Sequence, residues 1–387
     1  MSQLKVDAIR NTSASSDAIT LASDGTCTAK ITNNLSNRRL TINGDMKIAQ
    51  RGTSETNTTG MYTVDRYSVG AGGHDESPDQ AQHALTSSDT GPWEKGFRYS
   101  WLITNGNQSS GAGSGDYIDI QHRIEAQDMS QSGWNYTSAS SYVTLSFWVK
   151  SSVAQNFYGY LRSRDGTNQR YGFETGSLSA DTWTKITKTI PGNSNIQFDN
   201  DNGEGLRIAF LAFLGGDYTA SGTNLNTWEA YSSSTITPDN TSTWYTTNNA
   251  TLEFTGIQLE VGDYPSSYEF RTYADELRKC MRYCQVTDGG GNGTGVVGGS
   301  TQGDRIQMDL KEIMRANPTI TKVGNNIYMH DGSTQVQVST TAAEYGTPHS
   351  IEWEFTSCAS GSGLTTGNAL VSYINGSSGG FKMDAEL

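Results

Sequence analysis

Through the middle of the chain, apolar and polar positions alternate in short runs separated by Gly, Ser, Asn and Asp. In GFRYSWLIT (96–104), Phe97, Tyr99, Trp101 and Ile103 share a face; in DYIDIQHRI (116–124), Ile118, Ile120, His122 and Ile124 do. In YVTLSFWVK (142–150) the shared face is Val143, Leu145, Phe147 and Val149. A period of two predicts strands with one face on a core and the other in water. LRIAFLAFL (206–214) is apolar on both faces, which predicts a central strand covered on both sides. In ATLEFTGIQLEV (250–261) the apolar parity switches at Gly256, from Leu252 and Phe254 to Ile257, Leu259 and Val261. A β-bulge at that glycine would make the switch. Many such strands joined by turns predict an antiparallel sandwich over 37–271, most simply a jelly roll.

TYADELRKCMRYC (272–284) breaks the alternation. Tyr273, Leu277, Cys280, Met281 and Cys284 recur at helical spacing, and Thr272 can cap the helix with Asp275 three residues on. A connecting helix is therefore expected within 272–285, with Leu277 and Met281 available for oligomer or domain packing. The stretch 286–304, VTDGGGNGTGVVGGSTQGD, reads as a flexible connector by composition. Strand patterns return over 305–387, from RIQMDL to FKMDAEL, and predict a second, smaller β-sandwich. Residues 1–36 hold two strand-like pieces in a polar context and cannot bury enough apolar surface to fold alone. A partner's sheet edge would order them through Leu4, Val6, Ile9 and Ile19. The fold class is all-β: a jelly-roll sandwich, a smaller C-terminal β-sandwich, one connecting helix and an extended N-terminal segment.

Composition narrows the function. Of 387 residues, 34% are hydrophobic and 17% charged, and 43 are Gly, which excludes a helical bundle or coiled coil. With 8 Trp, 19 Tyr and 11 Phe, the chain carries too many bulky aromatics for a disordered polymer. The net charge is −13 and no Lys/Arg block occurs, so nucleic acid is not an expected partner. No apolar run reaches the roughly 18 residues of a membrane span, and MSQLKVDAIR lacks the apolar region of a signal peptide. The expectation is a protein made in a cytoplasm, without Sec export or membrane insertion. Cys280 and Cys284 sit four apart with no His beside them, so they read as packing thiols rather than zinc ligands.

Sugar rings stack their C–H faces on Trp and Tyr, and their hydroxyls need planar Asn, Gln, Asp or Arg partners. Loop-like aromatics with such neighbours are Trp134, Tyr218, Trp228, Tyr231, Trp244 and Tyr245, the candidate carbohydrate-binding residues. The competing reading makes each a rim residue covering an end of the sandwich. Catalytic constellations are poor. Asp199, Asp201 and Glu204 in FDNDNGEG lie in a turn that explains them, and this half of a calcium loop lacks the distal Glu. HExxH is missing, no GK[ST] follows the Gly runs near 289–299, and the five His are dispersed, with His122 a semi-buried strand residue. Neither metal, cofactor nor catalytic residue is assigned.

Two segments resemble a known group. NRRLTINGDMKIAQRGTS (37–54), followed by MYTVDRYSV (61–69), resembles the opening of the carbohydrate-binding-like jelly-roll modules in tail-fibre and related virion appendage proteins of tailed bacteriophages. TGIQLEVGDYPSSYEFRTYADELRKCMRYCQ (255–285) resembles their last strand, a Pro-containing turn and the following helix. SQLKVDAIRNTS and FKMDAEL are similar to ends of marine-phage (cyanophage-type) structural proteins. The resemblance covers most of 1–285 and leaves the appendage open. It implies a virion protein assembled in the host cytoplasm: a non-enzymatic, homotrimeric tail fibre that attaches to other virion proteins through its N-terminus and meets host surface glycans. A capsid decoration or head-fibre protein is the alternative. A glycan depolymerase is disfavoured because the chain has no β-helix repeat.

Overall fold

The inward-facing residues of the alternating runs meet between two sheets. In the computed structural model, which describes residues 6–25, 27–29, 38–287, 293–299, 302–324, 327–360, 363–374 and 379–387, each of these sheets has six antiparallel strands. The first runs in the order Trp228–Ala230, Gln169–Ser177, Asn156–Ser163, Glu204–Leu214, Tyr117–Glu125, Tyr67–Gly72. The second runs Thr184–Pro191, Tyr142–Ser151, Thr251–Val261, Tyr99–Thr104, Asp79–Ala84, Ser54–Glu55. Phe210 of the first sheet packs between Phe147 and Phe254 of the second, with ring centroids at 4.8 and 4.9 Å. Gly256 has a φ of +65°, and the pairing of its strand with Tyr142–Ser151 shifts register between Thr255 and Gln258, so the bulge lies where the parity switch put it.

The helix spans Tyr273–Met281, and Thr272 Oγ1 accepts from the Asp275 backbone N–H at 3.2 Å. Its buried face differs from the expected one. Tyr273 is exposed, Leu277 and Met281 are half-buried, and Glu276 is fully buried beside Cys280. Arg39 pairs with Glu276 and the Asn43 backbone N–H donates to it, so a satisfied carboxylate replaces an apolar side chain.

The second module is smaller and its sheet closes on itself. Six strands, Gly293–Gly299, Gln302–Asp309, Ser350–Ser360, Gln335–Gly346, Ile327–His330 and Ala369–Ile374, form a barrel around Ile306, Met329, Trp353 and Phe355. A three-stranded sheet of Cys284–Val286, Gly379–Asp384 and Thr319–Gly324 adjoins it. Part of the stretch expected as a connector is thus strand: Gly293–Gly299 pairs on both sides, and a Cβ at Gly293 would press on Ser372 and Ile306. Near the N-terminus, Ala8–Ile9, Ile19–Leu21 and Cys27–Ala29 make a small sheet of their own. Val6 and Ile9 are exposed there, Ile19 is half-buried, and Leu4 lies outside the described residues. Among the described residues, no helix is long and apolar enough to cross a membrane.

Candidate functional site

The segments that carry the sequence resemblance interlock with each other. Arg39 donates from its backbone N–H to Glu269 at 2.8 Å and from Nη1 to the Tyr268 hydroxyl at 2.6 Å. Asn43 Nδ2 donates to the Ile48 and Asp65 carbonyls, and Gln50 donates to Asp65 and to the Cys284 carbonyl. Gly44 stands so close to the bulged strand that a Cβ would overlap the Ile257 carbonyl oxygen. His122 is also held there: its Nδ1 lies 3.2 Å from the Arg66 carbonyl oxygen, and burial pushes its pKa well below the ordinary value. These residues build the joint between sandwich, helix and barrel. They leave little to bind a ligand.

Four of the six candidate stacking residues are core residues, which corrects the reading of them as open sugar platforms. Trp134, Trp228, Trp244 and Tyr245 are at most 7% exposed. Trp134 Nε1 donates to the Ser141 carbonyl, Trp228 Nε1 to the Pro191 carbonyl, and Trp244 Nε1 to the Thr251 carbonyl. Tyr245 stacks on Phe213 with centroids 4.5 Å apart. Each indole sits with its apolar body inside and its one donor satisfied, as a ring closing the end of a sandwich should.

Tyr218 and Tyr231 are different. They are half-buried and overhang the outer face of the first sheet, where a cleft of about 270 Å³ opens. Its floor comes from strand residues on the face turned away from the main core: Asp119 and Gln121, Tyr160, and Arg207 and Leu211. Tyr117 stands at the wall, edge-on to Tyr218 at 5.5 Å. The loop is held over the sheet by backbone hydrogen bonds from Tyr231 to Asn168 and from Ile236 to Tyr218, at 2.9 and 2.8 Å. The Arg162 guanidinium lies 3.4 Å above the Tyr231 ring. The double-sided apolar pattern of 206–214 is explained by this cleft, because Leu206, Ile208 and Phe210 face the core while Ala209, Leu211 and Leu214 face the loop.

The polar groups of the cleft are poised at some cost. Gln121 donates to Asp119 at 2.6 Å, yet burial pushes the Asp119 carboxyl up to about 6, against the pull of that hydrogen bond and of Arg207 and Arg123. Arg207 is gripped by both oxygens of Glu204 at 2.7 and 2.9 Å, so Glu204 is consumed by an ion pair. Among the described residues no group of three His, Cys, Asp or Glu could hold a metal ion. Sequence reasoning missed Tyr117, Asp119, Gln121, Tyr160 and Arg207 because it searched loops. The signal was the polar parity of strand 116–124 read against the two-faced strand beside it.

Other concavities fit a ring ligand less well. A cleft of about 800 Å³ beside the helix is lined by Arg38, Arg39, Arg271 and Lys279, but Glu260, Glu269 and Glu276 already pair with its arginines. A groove of about 470 Å³ on the second sheet offers Phe97, Trp148 and Phe270 beside Lys95 and Lys185, with no carboxylate or side-chain amide to receive hydroxyls.

The class so defined is an antiparallel β-sandwich protein with an aromatic and polar cleft on one outer sheet face. No family model matches the chain, and no curated protein matches it. Solved structures of similar fold include the enzymatically active domain of tailspike protein 4 of bacteriophage CBA120, at 10% identity and a TM-score of 0.28 over 54% of this chain, of which this chain spans only 21%. A putative sugar binding protein of Bacteroides thetaiotaomicron is 12% identical with a TM-score of 0.30, over 58% of this chain and 100% of that one. The family 11 carbohydrate-binding module of a cellulosomal cellulase of Clostridium thermocellum is 12% identical with a TM-score of 0.26, over 54% and 95%. These are likenesses of fold alone.

Proposed function

We propose that the chain is a bacteriophage virion protein, a trimeric tail fibre or receptor-binding appendage that holds host surface glycans without cleaving them. The observation that carries the glycan reading is the cleft on the first sheet. Tyr117, Tyr218 and Tyr231 supply ring faces and edges, while Asp119, Gln121 and Arg207 supply planar acceptors and donors. The virion reading rests on the resemblance of 37–69 and 255–285. Attachment through residues 1–36 is supported by the exposure of Ile9 and Leu21 on a small sheet and of Val6 just before it, as a strand-pairing segment that needs a partner would show. The same exposure would serve a capsid decoration or head-fibre protein, and antibody labelling of particles in the electron microscope separates tail from head.

The cleft is tested by exposing the purified chain to an array of bacterial surface and algal glycans. Wild type is expected to bind a subset, and Tyr218→Ala and Tyr231→Ala each to weaken that binding about tenfold, since stacking on a ring ligand is worth about 1–3 kcal/mol. Retained binding by a folded double variant would overturn the assignment of this cleft.

A further inference from the structure

On the outer face of the first sheet the strand register sets four arginines in one row. Arg123 pairs with Arg207, Arg207 with Arg162, and Arg162 with Arg170, across four adjacent strands. The next row is Gln121, Ala209, Tyr160 and Gly172, and the one beyond it is Asp119, Leu211, Tyr158 and Glu174. Like charges directly opposite one another destabilise a sheet, and the chain as a whole is acidic. A continuous cationic row on one face therefore calls for a physical reason.

Carboxylates account for three of the four. Glu204 grips Arg207 and comes within 4.0 Å of Arg123 and 3.6 Å of the nearby Arg164. Arg123 also donates to the Leu387 backbone oxygen and to Gln121. Arg170, almost fully buried, pairs with Glu229 and donates to the Asn224 carbonyl. Arg162 has no carboxylate among the described residues. Its guanidinium carbon lies 3.4 Å from the Tyr231 ring centroid, its Nε–H is buried without a hydrogen-bond partner, and its Nη2 donates to the Asn168 amide oxygen at 2.7 Å, with that amide turned to accept. Burial first, and then the guanidiniums of Arg164 and Arg207, lower its pKa from the usual arginine value, with Tyr231 acting the other way.

We propose that this cleft takes an anionic polysaccharide, one whose rings carry carboxylate or sulfate groups, and that Arg162, which stands beside the cleft against the lining residue Tyr231, reads the anion at its edge while Tyr218 and Tyr117 hold the ring. This rests on the glycan-binding reading of the cleft. With Nε buried and Nη2 on Asn168, the terminal nitrogens are the part of this guanidinium that can meet an anion, and contact with Tyr231 holds the group in place before the ligand arrives. The acid groups Asp119 and Glu174 stand two rows away on the same face, so the field across the cleft orients the ligand's anion toward the arginine row.

The test is calorimetric titration of the full chain with oligosaccharides of alginate, polygalacturonate and carrageenan, and with carboxyl-reduced forms of the first two. Wild type, Arg162→Gln, Arg162→Lys and Tyr218→Ala are compared. An anionic oligosaccharide is expected to bind. Its affinity should fall at least tenfold in Arg162→Gln, recover in part in Arg162→Lys, and, for a uronate, fall at least tenfold on carboxyl reduction. Binding to carrageenan alone assigns the anion's place to sulfate and supports the proposal. Equal affinity for native and carboxyl-reduced oligosaccharides overturns the anionic class and leaves the glycan reading standing. So does Arg162→Gln binding like wild type while Tyr218→Ala fails. If Arg162→Gln does not fold, the carboxyl-reduction arm on wild type decides. No binding to any charged or neutral oligosaccharide overturns both readings.

Discussion

Asp119 shows at the scale of one residue how the cleft is kept ready at the expense of stability. Its carboxyl stands at about 6 in the folded chain, against about 3.9 when unfolded, a difference worth about 3 kcal/mol. Because the folded value is the higher one, protonation favours the fold. That contribution is complete below about pH 4 and is lost as pH rises through about 6. Asp119→Asn is accordingly expected to be more stable than wild type at pH 8, by up to about 3 kcal/mol, with the advantage gone at pH 4. Urea denaturation of both proteins at the two pH values measures this, and the comparison cancels other titrating groups such as Asp65. An advantage of the same size at both pH values would refute it. Nothing in the residue pattern announces this cost, because Asp119 occupies an ordinary outward position in an alternating strand. The aromatic side chains misled in the opposite direction. Trp228 and Trp244 stand in polar sequence, yet one satisfied N–H lets each indole enter the core, and polarity of neighbours along the chain says nothing about neighbours in space.

At the scale of elements, local chemistry that repeats along the chain was legible and chemistry that closes through space was not. The bulge at Gly256 could be read because period-two alternation makes a one-residue insertion visible as a change of parity. Its necessity comes from packing. The φ of +65° suits glycine, and a Cβ there would fall 2.7 Å from the Phe97 ring and 3.1 Å from Trp148. Gly256→Ala is expected to lower stability by about 1–3 kcal/mol, the cost of a side chain in left-handed backbone, with more if the rings cannot give way. Thermal denaturation checks it, and an unchanged melting temperature would mean the strand can shed its bulge. The helix illustrates the other half. Its cap was readable from Thr272 and Asp275, but the centre of its buried face is Glu276, whose place depends on Arg39 and Asn43 more than two hundred residues earlier. Strand Gly293–Gly299 hid for a related reason, since glycine-rich composition resembles a linker until the crowding over Gly293 is seen.

For the whole molecule, the decisive contacts join the two modules. The chain leaves the barrel along Gly379–Asp384 and its last residues return to the first sandwich. Arg51 reaches Asp384 and Glu386, both at 3.1 Å, and Arg315 donates to the Ala385 and Glu386 carbonyls. Arg66, 1% exposed, pairs with Glu386, donates to the Arg123 carbonyl at 2.6 Å and lies 3.4 Å above the Tyr283 ring. Arg66 immediately precedes the edge strand Tyr67–Gly72 and Arg123 lies in its neighbour Tyr117–Glu125, in the sheet that floors the cleft, so the clasp and the candidate site stand on one platform. Such a buried pair need not add net stability over an apolar one, but removing only the acid leaves a guanidinium unpaired and costs about 3–5 kcal/mol. Glu386→Ala should therefore weaken the joint more than it weakens either core. Calorimetry is expected to show one transition for wild type and two for the variant, the lower one from the barrel, whose buried cluster is the smaller. If the variant instead melts in one transition at the wild-type temperature, the modules are coupled through the helix and the Cys284–Val286 strand, and the tail only rests on the surface it touches.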